Sequence, residues 1–325
     1  MPKCILKNDG LKVFSFSEEG KGLSMNWKEY ENYVYEECKR VFHDCEIQHN
    51  IYLDGIFSKR KRQIDIKITY QEGKVLIIDA KKYNVRVNVK TVESFIGMVK
   101  DVGANYGIII SEKGFSKAAI NRAHYGEDNI EIDILNLHEL SLFQSEWAIP
   151  YAGSNGVIAL APFCWLIDGT RRNNMVAVMY RRGFSFEEAA KNKEWAYINF
   201  WDKNDEICTL DELISWQNSN LLCDNNDGTI EEICSDLIRI RFFKSPNYPT
   251  PEITLFREFD NFFLFVVLFS PNNMINKNTC HTSTNTPWKW PSWSCLSSKG
   301  TATRTVRQFT KSCRKCCSVM ICECI

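Results

Sequence analysis

The chain has no net charge: 40 Lys and Arg stand against 40 Asp and Glu. Overall charge therefore does not advertise nucleic-acid binding, and any such site must be a local basic surface. Long apolar runs are also lacking. The longest, Phe262 to Phe269, has eight residues, far short of the ~20 that span a bilayer. It reads as a buried strand, and no membrane association is expected. No apolar run follows Lys3 and Lys7, so no export signal is read, which points to a reducing, cytoplasmic setting. The seven cysteines before residue 271 have no pair spacing and read mostly as small buried apolar side chains. His43, His49, His124 and His138 are dispersed, with no i, i+4 ligand pair. A Walker loop, a Gly-x-Ser-x-Gly elbow and a dinucleotide fingerprint are all missing, which removes those enzyme classes from consideration.

What is present suffices for two domains: 325 residues, 44% hydrophobic and 25% charged. The charge is unevenly spread. Residues 1–270 hold 32 basic and 39 acidic side chains, a net −7, and residues 271–325 hold eight basic and one acidic, a net +7.

The most informative stretch runs from Gln63 to Tyr83. Gln63 to Thr69 alternates apolar with polar residues, and Val75 to Tyr83 starts as an apolar run and ends charged. Tyr70-Gln71-Glu72-Gly73 has hairpin length, so two facing strands are expected. Strict alternation puts Ile64, Ile66 and Ile68 on one face and Asp65 on the other, and gives Asp79 and Lys81 a common side. Such a hairpin can gather Asp65, Asp79 and Lys81 at one edge. Two carboxylates about 4 Å apart repel by roughly 4 kcal/mol at an effective dielectric near 20. A divalent cation relieves this, and oxygen ligands select Mg2+ or Mn2+. Lys81 beside it could orient a water or offset charge developing on a phosphate. The plain alternative is a surface salt bridge of Asp65 with Lys67 or Lys81.

Read in order, residues 26–42 form a helix whose apolar stripe is Trp27, Tyr30, Val34, Cys38, Val41 and Phe42, with Glu31 inside it. A carboxylate there needs a partner, either a salt bridge or a metal. Residues 46–54 suit a strand. Lys59-Arg60-Lys61-Arg62 is open to three readings: a localisation signal, a solvated loop, or a phosphate-contacting lip. Then come a helix at 89–102, a buried strand at 106–110, a helix at 115–124 and a strand at 130–135. This order predicts a mixed sheet, antiparallel first and parallel after a crossover, with helices on both faces.

Several motifs carry a resemblance together. They are Glu31 on the first helix, Arg62-Gln63-Ile64-Asp65-Ile66, Asp79-Ala80-Lys81 with Lys82-Tyr83, the Gly107 to Ser111 strand, and the Gly114 to Ala119 helix start. Over residues 26–140 the chain resembles the PD-(D/E)xK nuclease superfamily, and most of all its Mrr-type restriction endonucleases. Two positions depart from that branch: Asp79 stands where Glu or Gln is more frequent, and no proline precedes Asp65. The resemblance implies a restriction-endonuclease-like α/β core at 1–145 that cuts DNA with Mg2+ (or Mn2+). Glu31, Asp65 and Asp79 would hold metal, with Asp65, Asp79 and Lys81 catalytic. Lys59, Arg60, Lys61, Arg62, Lys82 and Tyr83 would contact DNA. Cutting both strands of a duplex takes two active sites, so a homodimer is expected, and the resemblance suggests a role in restriction or other defence against foreign DNA.

Residues 146–270 read as a second, α+β domain for recognition or regulation, joined by a loop-rich stretch around Pro150, Gly153, Gly156 and Pro162. Ser185/Glu188, Thr209/Glu212 and Thr229/Glu232 are spaced as capping boxes, each opening a periodic run. Trp195, Tyr197 and Trp201 share strand parity, as core or as a base-stacking platform. Arg171-Arg172 and Arg181-Arg182 read as solvated or as lining a DNA or ligand cleft. Residues 271–325 are rich in Ser, Thr and Cys and read as a disordered basic tail. Cys313, Cys316, Cys317, Cys322, Cys324 and His281 lack the second spaced pair of a zinc site. Two rivals to the nuclease remain: an effector nuclease switched by a small molecule bound to the second domain, and an inert DNA-binding module.

Overall fold

A computed structural model describes residues 25–126, 130–142, 146–150, 156–224, 227–234, 239–246, 250–271, 274 and 293–296. The first helix, α1 (Trp27–Val41), starts where Asn26 accepts from the backbone of Lys28 and Glu29 while the Glu29 side chain reaches back, a complete capping box. Its apolar stripe buries Tyr30, Val34 and Cys38. A five-stranded sheet follows, β1 (Glu46–Asp54), β2 (Lys61–Thr69), β3 (Val75–Lys81), β4 (Tyr106–Ser111) and β5 (Glu131–Asn136), in spatial order 1-2-3-4-5. The first two pairings are antiparallel and the last two parallel. The parallel steps need crossovers, supplied by α2 (Val89–Asp101) and α3 (Lys117–His124). One core cluster lies under α2 and α3 and another under α1, so helices cover both faces as the element order predicts. Gly107 lets α2 lie close on β4: a Cβ there would stand 2.7 Å from the Phe95 ring.

Strict alternation fails at one point of the first hairpin. Ile66 and Ile68 pack under α1, but Ile64, with Ile51 and Leu53, packs under α2. The β1–β2 register runs through His49–Ile66 and Ile51–Ile64 but skips the Asn50–Asp65 position, and Asn50 takes a φ of 50°. Asn tolerates that left-handed conformation better than most residues. The hairpin turns there, and its outer half lies across α2.

A second, seven-stranded sheet has the order 11-12-13-14-10-9-8, all antiparallel. Its strands are β8 (Trp165–Asp168), β9 (Ala177–Arg181), β10 (Trp195–Asp202), β11 (Thr229–Cys234), β12 (Arg239–Lys244), β13 (Glu252–Glu258) and β14 (Phe262–Phe269). Two helices accompany it, α4 (Phe186–Lys191) and α5 (Leu210–Asp224). The boxes at Ser185/Glu188 and Thr209/Glu212 do cap these helices. Thr229/Glu232 does not: Thr229 opens strand β11, which pairs residue for residue with β12 from Thr229–Lys244 to Cys234–Arg239. The joint expected to be loop-rich holds β6 (Glu146–Pro150) and β7 (Gly156–Leu160), and β15 (Trp293–Leu296) of the tail pairs with β7. The stretch expected to lack structure thus contributes a strand; the proposed zinc residues lie outside the described residues.

Three further sequence readings meet the structure. Trp195 stacks on Phe269 at 4.9 Å, Trp201 meets Trp216 at 4.8 Å, and Tyr197 and Trp201 pack on the second sheet's core, so the aromatic row is packing. Arg181 and Arg182 are neither solvated nor lining a cleft. Both are buried, in ion pairs with Glu194 at 2.6 Å and Asp133 at 3.3 Å. Among the described cysteines, Cys38 and Cys164 are buried and Cys45 half-buried, but Cys208, Cys223 and Cys234 are exposed.

The two sheets meet at β5. Arg182 pairs with Asp133 there, the His124 ring bonds the Arg182 carbonyl at 2.7 Å, and the Cys164 thiol donates to the Ile132 carbonyl at 3.3 Å. An otherwise open sheet edge is thereby covered.

Candidate active site

Pairing between β2 and β3 stops at Ile66–Ile78. The next position in that register would set Asp65 opposite Asp79. The strands part there, and side chains take over from the ladder. The Ala80 amide donates to Asp65 Oδ2 at 3.0 Å, so a backbone donor freed by the splay is satisfied by the carboxylate. Lys81 Nζ lies 2.7 Å from Asp79 Oδ1.

Asp79 is 6% exposed. Burial is the main force raising its carboxyl, up to about 7; Lys81 opposes the rise, and the neighbouring Asp65 adds to it by charge and by side-chain contact. For Lys81, burial works against the ammonium, but Asp79 outweighs it and the group is held above its ordinary value. Two carboxylates therefore share one ammonium, and the one deeper in the protein is under-compensated. Hard oxygens around a surplus of negative charge suit a small divalent cation. Asp65 and Asp79 are the side chains that could hold one.

Glu31 is not brought to them as a third ligand. Among the described residues no group of three or more His, Cys, Asp or Glu is placed to hold a metal ion. Glu31 Oε1 instead lies 3.0 Å from His49 Nε2, and the His49 ring stacks on Tyr35 at 4.4 Å. His49 on β1 pairs with Ile66, next to Asp65, so Glu31 reaches the strand beside the one that carries the acid.

The DNA-contacting candidates divide. Lys82 is ion-paired with Glu112 at 3.2 Å and lies 5.8 Å from the Tyr30 ring centre, on the α1 side of the sheet. Tyr83 is exposed. Lys59 and Arg60 are exposed, Lys61 pairs with Asp54 at 2.8 Å, and Arg62 pairs with Asp101 at 2.6 Å.

Asp101 escaped sequence reasoning altogether. A carboxylate in the last turn of a helix opposes the macrodipole, yet this one is buried. Its oxygens accept from the amides of Phe57 and Ser58, each at 2.9 Å, and from Ser58 Oγ and Arg62 Nε, each at 2.6 Å. Those bonds, the Ser58 ones foremost, hold its carboxyl well below the ordinary range. No local pattern announces the contact, since the partners lie 39 to 44 residues away. His49, Tyr30 and Glu112 were missed for the same reason.

Residues 23–141 match the family described as restriction endonuclease, of the Mrr catalytic type. This segment is a Mrr-type restriction endonuclease domain. It contains the whole five-stranded sheet with α1, α2 and α3, and both splayed acids. No curated protein matches the chain in sequence. Three solved structures are similar in part. The protein of unknown function AF1548 shares 18% identity at a TM-score of 0.30, over 37% of this chain and 68% of its own. Cyanobacterial PsbP from Synechocystis shares 11% at 0.29, over 41% and 85%. A repair endonuclease from Pyrococcus abyssi shares 13% at 0.26, over 34% and 47%. No helix among the described residues is long and apolar enough to cross a membrane.

Proposed function

We infer that the chain is a metal-dependent endodeoxyribonuclease whose Mrr-type domain hydrolyses phosphodiester bonds of DNA, with restriction or defence against foreign DNA as its setting. The observation that carries this reading is the splayed end of β2 and β3. There a buried Asp79 and a half-buried Asp65 are in contact, with Lys81 at 2.7 Å from Asp79. A purely structural role would leave a pointless cost, since burying an under-compensated carboxylate is unfavourable.

Asp65 and Asp79 would hold the ion, Mg2+ or Mn2+; when bound, it supplies Lewis-acid polarisation of the phosphate and lowers the pKa of water. Asp65 is fixed for this by the Ala80 amide, which sets its rotamer. Lys81 is held by Asp79 so that its ammonium faces the same point. It can hydrogen-bond the incoming water and stabilise charge on the phosphate oxygens. Glu31, steadied by His49, is kept as the third acid, acting from outside this pair. Lys82 and Tyr83, directly after the motif, and Lys59 to Arg62 on the hairpin are assigned to the DNA backbone. A pair of cuts in duplex DNA calls for two such sites, hence a homodimer.

One observation favours a regulated variant of this reading. The buried Arg182–Asp133 pair ties residues 156–270 to β5 of the nuclease sheet, so a ligand acting on the second domain has a route to the first.

Plasmid cleavage tests the assignment, run with Mg2+, with EDTA, and with Asp79→Ala, on methylated and unmethylated DNA. Cleavage is expected only for the unaltered chain with metal. Equal cutting by the variant would remove the site, and cutting in EDTA would remove the metal.

A further inference from the structure

The hairpin tip between β1 and β2 combines two properties that seldom go together. It is rigidly built, and it displays apolar side chains to water. Phe57 is 75% exposed, the highest among the large apolar side chains described, and its neighbour Ile56 is 52% exposed. Flexible loops expose such groups as a matter of course, but this loop is pinned on every side. The Gly55 amide donates to the Arg60 carbonyl at 2.8 Å and the Lys59 amide returns to the Gly55 carbonyl at 3.1 Å. The Ile56 amide donates to the Asp101 carbonyl at 2.6 Å, and the Asp101 carboxylate takes the amides of Phe57 and Ser58. Gly55 is obligatory, because a Cβ there would stand 2.3 Å from Ser58 Oγ and 2.5 Å from Asp101 Oδ2. Lys59 is held at a φ of 57°, a conformation a lysine adopts only when its surroundings impose it.

The charge around the tip says what it meets. The body of the chain is acidic, yet Lys59, Arg60, Lys61 and Arg62 are consecutive here. Lys61 and Arg62 are spoken for by Asp54 and Asp101, which leaves Lys59 and Arg60 exposed beside Phe57. An apolar wedge beside cations is the arrangement that unstacks a base step while the cations hold phosphates.

We propose that Phe57, backed by Ile56, is a wedge that inserts between base pairs of duplex DNA flanking the scissile phosphate, with Lys59 and Arg60 on the adjacent phosphates. The proposal rests on the DNA-nuclease reading above. Phe57 is eight residues from Asp65, a reach of at most ~29 Å. The wedge therefore acts within about eight base-pair steps of the cut, at roughly 3.4 Å per step. Specificity from such a wedge comes through deformability, favouring flexible pyrimidine–purine steps on that flank.

The test uses full-length protein carrying Asp79→Ala, to stop cleavage, and duplexes with 2-aminopurine at successive positions. Emission should rise at one step on binding. Phe57→Ala should abolish the rise and weaken binding roughly tenfold, within the range for loss of one aromatic–base stack. Phe57→Trp should preserve the binding. Lys59→Ala with Arg60→Ala should weaken binding on all sequences and reduce its salt dependence. DNA binding with an emission profile and affinity unmoved by Phe57→Ala would overturn the wedge and leave the nuclease reading standing. A change in oligomeric state on Phe57→Ala, with DNA binding unmoved, would overturn it in favour of self-association. Failure of the parent protein to bind DNA would remove both.

Discussion

The two sheets each bury charge, and they do so to opposite ends. At the Arg181–Glu194 and Arg182–Asp133 pairs every charge has an opposite partner, and both members of each pair are under one-tenth exposed. At the end of β3, two carboxylates share one ammonium and the ladder that would tie their strands is open. The first arrangement is self-sufficient and fixes how the nuclease sheet meets its neighbour. The second is incomplete, and that incompleteness is what the proposed metal site rests on.

The sharpest way to break this contrast is to neutralise one member of each cluster. Asp79→Asn should lower DNA cleavage by at least about 10²–10³-fold, the scale for losing a preorganised electrostatic group. It should also leave the metal-free protein as stable as before or more so in thermal melts at pH 8, because a poorly compensated buried anion has been removed. Arg182→Met should do the reverse. It strands Asp133 in the interior and should cost about 3–5 kcal/mol in urea unfolding. Its pH dependence has a definite sign. Burial holds the Asp133 carboxyl above its ordinary value, Arg182 works against that, and the Ile134 amide helps Arg182. Without Arg182 the carboxyl rises further, so the folded state prefers Asp133 neutral. The defect should be largest at pH 8, shrink as the solution is acidified toward pH 5, and be largely relieved by adding Asp133→Asn. A variant whose loss is flat across that range would refute the ionic account of this contact.

The difference between the two clusters also explains what was legible beforehand. Asp65, Asp79 and Lys81 lie within seventeen residues of one hairpin, so strand parity and a short turn are enough to bring them together. The order of helices and strands around them followed from periodicity in the same local way, and so did the caps at Asn26 and Ser185. Parity failed where it had to, at Asn50 and Asp65, because a positive φ and an opened ladder position turn the hairpin over and send Ile64 to the other core. The paired arginines were misread because the acids that bury them come from β5 and from the turn between α4 and β10, 49 and 13 residues away. The Thr229 box was misread because its Thr-x-x-Glu spacing is local, whereas pairing with β12, which begins at Arg239, decided for the strand.

Asp101 lies between the two extremes: a buried acid, fully served by donors, whose purpose is to shape a loop. Asp101→Asn keeps the volume but weakens the Arg62 contact and turns one acceptor into a donor facing donors. The Phe57 and Ser58 amides should lose protection from hydrogen exchange while the core of β3 and β4 keeps its own. Hydrogen bonds from Ser58, then Arg62 and Phe57, depress this carboxyl. Its contribution to stability is therefore present above the ordinary carboxylate range and lost as pH falls through the lower folded value. Loop protection in the unaltered chain should follow that course, later in acid than a typical surface carboxylate would titrate.

The smallest expected effect sharpens the comparison most, because Glu31 belongs to neither class. Its carboxylate is mostly buried and meets one ring nitrogen, that of His49, at 3.0 Å. If it acts on the ion from outside the Asp65–Asp79 pair, Glu31→Gln should lower cleavage by about tenfold, the lower end of the range for disturbing an outer partner of a metal. That loss should deepen at limiting Mg2+. His49→Gln should produce a milder form of the same change, since it frees the glutamate without removing it. A Glu31→Gln variant that loses stability instead, with cleavage per folded molecule unchanged at every Mg2+ concentration, would place Glu31 with the self-sufficient pairs of the interior rather than with the open end of β3.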